Sequence, residues 1–139
     1  MYIVEYESQI YVKKEHVNFI TVLGKKAGYQ KTRVSLQINH SNLKALFHTV
    51  DSGYGKRARL YTLCRDDVES CEYSRELHCI RFFGEMAVSE YESAEKTEEA
   101  IRKTRRKQEL FLYISTDDEA IIANEIKMWA GSRWTDMDE

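Results

Sequence analysis

The stretch GYGKRARLY, residues 53–61, sets two glycines, two tyrosines and three cationic side chains within nine positions, and GKKAGYQKTR at residues 24–33 has a similar mixture of two glycines, one tyrosine and four cations. The cations are Lys25, Lys26, Lys31 and Arg33 in one stretch and Lys56, Arg57 and Arg59 in the other, interleaved with Tyr29, Tyr54 and Tyr61. Cations neutralise phosphates and tyrosine rings stack on bases, so this mixture suits a nucleotide or a nucleic-acid strand. Glycine beside tyrosine also lets backbone amides approach an anion closely. The ordinary alternative is a pair of hairpin tips, where glycine supplies the turn and lysine protects a sheet edge.

A third basic run, RKTRRK at residues 102–107, contributes Arg102, Arg105 and Arg106 as further candidate phosphate ligands. Read as a helix opening at Ser93, SAEKTEEAIRKTRRKQ places Glu95, Glu98 and Glu99 at its front and the cations at its back. That arrangement complements the helix dipole and sets Glu98 with Arg102 and Glu99 with Lys103 at i, i+4. The only large apolar residue of that helix is Ile101, the rest of its stripe being Ala94, Thr97, Ala100 and Thr104. Such a stripe buries little on its own chain, and a second subunit would complete it, which makes a homo-oligomer the expectation.

Other chemistry is weaker. Cys64, Cys71, His78 and Cys79 are near in sequence, but no pair has the short gap of a zinc knuckle, and adjacent strand residues point to opposite faces. They read as buried free thiols. His16, His40 and His48 have no partner spacing and read as structural or surface residues. The acidic groups Asp66, Asp67, Glu69 and Asp117, Asp118, Glu119 could hold magnesium, yet the first reads as a solvated loop and the second as the first turn of a helix. Glu125-Ile126-Lys127 has the form of a nuclease E-x-K but falls on a helix. No nucleophile elbow, P-loop, dinucleotide fingerprint or metalloprotease helix occurs. No cofactor and no metal is indicated, and no motif resembles a known family.

The elements that must position these residues follow from periodicity. Tyr2 to Lys13 alternates as one long strand, with Tyr2, Val4, Tyr6, Ile10 and Val12 on one parity. His16 to Leu23 reads as a central strand, residues 24–31 as a turn, and Thr32 to Ile38 as a strand with Val34, Leu36 and Ile38 inward. Ser41 caps a short helix carrying Leu43, Leu46, Phe47 and Val50. Arg57 to Cys64 is a strand, DDVESCE an acidic loop, and Leu77 to Tyr91 a central strand with Gly84 at a bulge or close approach. After the Ser93 helix, ELFLYIS is a strand. Thr116 and Glu119 form a capping box opening a third helix, whose inner face is Ile122, Ala123, Ile126, Trp129 and Ala130 and which ends at Gly131.

The expected fold is therefore α+β: a largely antiparallel sheet of about six to seven strands with three helices packed mainly on one face, in a single domain spanning residues 1–139. The chain has 139 residues, 42% hydrophobic and 32% charged, with net charge −2. This composition excludes disorder, and no apolar run is long enough to cross a membrane. Near-neutral charge requires any nucleic-acid role to rest on a local basic patch. No basic segment followed by an apolar stretch opens the sequence, and three cysteines at irregular spacing suit reduced thiols, so a cytoplasmic setting is expected.

These observations point to a non-enzymatic binding protein that captures an anionic ligand through its basic, tyrosine-containing hairpins. Composition alone suggests a small regulatory protein of a virus or microbe. A protein-interaction module or inhibitor, using the Trp134 region, the acidic tail TDMDE and the second helix, is the first alternative. A metal-dependent nuclease or phosphodiesterase using Asp51, Asp66 or Glu85 is the second.

Overall fold

The computed structural model describes residues 1–11, 29–51, 55–114 and 116–138. Antiparallel ladders dominate them: β1 (Tyr2–Tyr11), β2 (Tyr29–Ile38), β3 (Asn42–Asp51), β4 (Lys56–Cys64), β5 (Val68–Ser74), β6 (Cys79–Tyr91) and β7 (Arg102–Tyr113). One α-helix, α1 (Glu119–Ala130), and a short strand, β8 (Trp134–Asp136), complete the described elements. The expectation of three helices packed mainly on one face of the sheet is overturned. The molecule is a curled half-barrel, mostly sheet, with a single α-helix among the described residues.

The sheet runs β1-β2-β3-β4-β6-β5-β8, with β7 on the other edge of β6. β6 shares one edge between two partners: Ala87–Tyr91 pairs with β4, and Cys79–Gly84 pairs with β5. β4 and β5 thus form one interrupted strand, broken by the 3-10 turn Arg65–Asp67. The break sits opposite Gly84, whose φ is +155°, and a Cβ there would overlap the Asp67 carbonyl oxygen. Only glycine permits this approach.

Alternation fills the interior. Val34, Leu36 and Ile38 of β2, Leu43, Ala45 and Phe47 of β3, and Ile80, Phe82 and Met86 of β6 form one core with Leu110 and Leu112 of β7. α1 adds Ile122, Ala123, Ile126, Trp129 and Ala130, the face that its 3.6-residue spacing predicts. Its capping box does not form. The Glu119 carboxylate instead accepts from the Tyr73 hydroxyl and meets His78 Nδ1 at 2.6 Å, while the Thr116 hydroxyl accepts the Asp118 amide at 3.4 Å.

The two other expected helices are strands. At 41–50, Leu43, Ala45 and Phe47 alternate inward, and Ser41 belongs to a tight turn in which Asn39 Oδ1 accepts the Ser41 and Asn42 amides at 3.0 and 2.9 Å. The i, i+3, i+4, i+7 spacing was fortuitous there, since Leu46 faces away from Phe47. At 102–113 the chain pairs along the full length of β6, because a stripe of alanines and threonines cannot anchor a helix whereas a strand satisfies its backbone on β6. The argument for a second subunit resting on that helix falls away with it. DDVESCE is likewise a 3-10 turn leading into β5, with Val68, Cys71 and Tyr73 buried. Trp134 packs against Tyr73, with ring centroids 5.5 Å apart. The expected strand His16–Leu23 and most of the turn after it lie outside the described residues.

Curling brings the outer edges together. Ser8 Oγ of β1 donates to the Tyr113 carbonyl of β7, and the Tyr29 and Tyr113 hydroxyls lie 3.0 Å apart. Among the described residues, side chains rather than a backbone ladder close this seam.

Candidate nucleic-acid interface

β4, β6 and β7 lie side by side, and their register fixes which side chains share a face. Arg59 pairs with Glu90 and Glu90 with Arg102; Tyr61 pairs with Val88 and Val88 with Thr104; Met86 pairs with Arg106. Directly paired residues project to the same side of a sheet. Phe47, opposite Arg59, and Met86, opposite Arg106, are buried in the core. Arg59, Tyr61, Glu90, Arg102, Thr104 and Arg106 therefore lie on the core side, and Arg57, opposite buried Val50, joins them. All are near the end of the sheet where β1, β3 and β6 finish and β2, β4 and β7 begin. Adjacent strands are about 4.8 Å apart, so Arg59, Glu90 and Arg102 span about 10 Å.

Charge on this face is unbalanced. Arg59 Nη2 meets Glu90 Oε1 at 3.2 Å with side chains 17% and 15% exposed, and Arg59 Nη1 donates to the Tyr61 hydroxyl at 3.4 Å. Arg57, Arg102 and Arg106 have no carboxylate within ion-pair distance among the described residues, and Arg106 Nε donates only to Gln108 Oε1 at 2.9 Å. Among the described residues, four guanidiniums thus face one carboxylate above a floor of Tyr61, Val88 and Met86. An apolar floor weakens solvent screening and strengthens attraction for an incoming anion.

The opposite face differs. There Arg33 meets Glu5 at 3.4 Å and Glu7 at 3.0 Å, Arg105 meets Asp67 at 3.0 Å and Glu85 at 3.2 Å, and Lys107 meets Glu69 at 2.6 Å. Hydrogen bonds donated to Glu7 and then Glu5 raise the Arg33 pKa, and the bond to Glu69 raises that of Lys107.

The nominated residues thus divide. Arg57, Arg59, Arg102 and Arg106 come together. Lys31, Arg33, Lys56 and Arg105 project to the outer side, as their pairing with Gln9, Glu7, Asp51 and Ala87 shows. Tyr29 is 58% exposed and its ring packs edge-on to Tyr113 at 5.3 Å, which places it at the seam. Lys25, Lys26 and Tyr54 lie outside the described residues. Thr104 and Glu90 were missed as members of this face. The period-two series Arg102, Thr104, Arg106, Gln108 carries the signal, but only when the segment is read as a strand.

Among the described residues no group of three histidine, cysteine or acidic side chains could hold a metal ion. All three cysteines are free thiols; Cys71 and Cys79 are buried, whereas Cys64 is exposed, contrary to the expectation that all are buried. Burial pushes the Cys71 thiol up to about 12 and the Cys79 thiol up to about 11. No described helix is long and apolar enough to cross a membrane. The chain matches no protein-family model, and no curated protein or solved structure shows significant similarity to it.

Proposed function

We propose that the arginine cluster on the core side of β4, β6 and β7 captures a phosphorylated ligand, a nucleotide or a nucleic-acid strand, without chemical turnover. The observation that carries this reading is the gathering of Arg57, Arg59, Arg102 and Arg106 on one face with Glu90 as the single carboxylate among them in the described residues. Guanidiniums offer paired donors to phosphate oxygens, and the partly buried Val88 offers an apolar contact beside a base or sugar. Affinity from such contacts falls steeply with salt because each phosphate neutralised releases counterions.

The test is fluorescence anisotropy of a labelled single-stranded decamer and of labelled ATP, each titrated at several salt concentrations. Saturable, salt-sensitive binding of either probe, reduced at least about tenfold by Arg57→Glu with Arg102→Glu, supports the reading. Absence of binding by both probes at low salt, or binding that survives the double variant unchanged, overturns it.

A further inference from the structure

β7 is a long strand with one side satisfied and, among the described residues, the other open. It pairs with β6 from Arg102 to Tyr113, and among the described residues no other strand pairs with it. The Ile114 amide donates to the His78 carbonyl at 2.8 Å, which extends the ladder in register and sets the even-numbered residues of β7 as the ones bonded to β6. The odd-numbered residues then direct their amides and carbonyls away. Tyr113 confirms this polarity, since its carbonyl accepts from Ser8 across the seam. Further along, the outward backbone groups of Lys103, Arg105, Lys107 and Glu109 form an edge about 20 Å long that no other strand pairs with among the described residues.

Proteins normally guard such edges with charge, and here the guard has one sign: five of the six residues from Arg102 to Lys107 are cationic, and all six are exposed. A second copy of β7 laid on this edge would set cation against cation, so the charge that excludes self-pairing selects a partner of opposite sign. Arg102 and Arg106, four residues apart on the core side, are without acids of their own among the described residues.

We infer that the free edge of β7 accepts an acidic, extended polypeptide segment as an added antiparallel or parallel strand, with carboxylates at alternate positions meeting Arg102 and Arg106. Backbone hydrogen bonds at Lys103, Arg105 and Lys107 supply the geometry, and charge supplies the choice of segment. This goes beyond phosphate capture, because phosphate ligands need the guanidiniums but not the outward amides.

The experiment uses the full chain and a labelled ten-residue peptide alternating glutamate and valine. Expected outcomes are saturable binding, together with slowed hydrogen exchange at the Lys103, Arg105 and Lys107 amides while those of Thr104 and Arg106, already bonded to β6, stay unchanged. Arg105→Pro, which removes one outward amide and leaves the β6 ladder intact, should weaken binding at least tenfold relative to Arg105→Gln. A peptide of alternating glutamate and N-methylvaline should fail to bind. Equal binding of the methylated peptide, equal affinities of the proline and glutamine variants, or unchanged exchange at the outward amides would each overturn strand addition. So would an absence of peptide binding.

Discussion

The two faces of β7 carry nearly the same side chains and have opposite electrostatic fates. On the outer face Arg105 and Lys107 are held by Asp67, Glu85 and Glu69, supplied by the 3-10 turn, β6 and β5. On the core face Arg102 and Arg106 look across at Val88, Met86 and a Glu90 already engaged by Arg59. The difference lies in the strands alongside rather than in the basic run itself. A cation in a sheet is free or neutralised according to what the ladder places one or two strands away.

The strongest way to break this comparison is Gly84→Ala. The added Cβ would collide with the Asp67 backbone, displacing the turn that carries acids to the outer face. A loss of about 2–4 kcal/mol in urea denaturation is expected, from strain at a positive φ combined with overpacking. Next in size, Arg102→Glu with Arg106→Glu should lower affinity for the single-stranded decamer by about tenfold or more, whereas Lys103→Glu with Arg105→Glu, an equal change in net charge on the outer face, should lower it less than about threefold. Equal losses in the two double variants would show that only overall charge matters.

Glu90→Gln sharpens the contrast in the opposite direction. Removing the one carboxylate of the core face should raise affinity for the decamer about two- to fivefold at low salt. The same change should cost about 1–2 kcal/mol of stability, because Arg59 loses a charged partner where it is mostly buried. The smallest effect concerns the thiols. Because burial raises Cys71 and Cys79 to about 12 and 11, the native state keeps protons that the unfolded chain releases from about pH 9 upward. Their contribution to stability is complete below pH 9 and is lost as pH rises through those values. Stability measured from pH 8 to 11 should decline, and iodoacetamide at pH 8 should modify Cys64 well before the other two.

Much of the strand pattern was legible. The alternation of Val34, Leu36 and Ile38, the both-sided apolar character of β6, the close approach at Gly84 and the inner face of α1 were all readable from local sequence. Two segments misled because helical and strand periods coincide over short stretches. Leu43, Phe47 and Val50 fit a helical face as well as they fit β3 with its irregularity between Phe47 and Val50. The glutamates and cations at 95–107 obey every rule of a charged helix, and what overrides those rules is β6, a partner whose demand for a second neighbour no local window contains. The candidate cluster was half visible for the same reason: Arg57, Arg59, Arg102 and Arg106 were all singled out, but their separation from Lys31, Arg33, Lys56 and Arg105 is a matter of strand parity and neighbours.

The seam also has a consequence for the order in which the molecule assembles. The bond that ties the curl, from Ser8 to Tyr113, joins residues 105 positions apart. During synthesis β1 is made before its closing neighbour β7, with β2 to β6 between them. Hairpins such as β2-β3 and β6-β7 can zip locally within microseconds, while closure of the half-barrel must await every strand between β1 and β7 and a large loss of loop entropy. Closure of the seam is therefore expected as the late, slow event of folding.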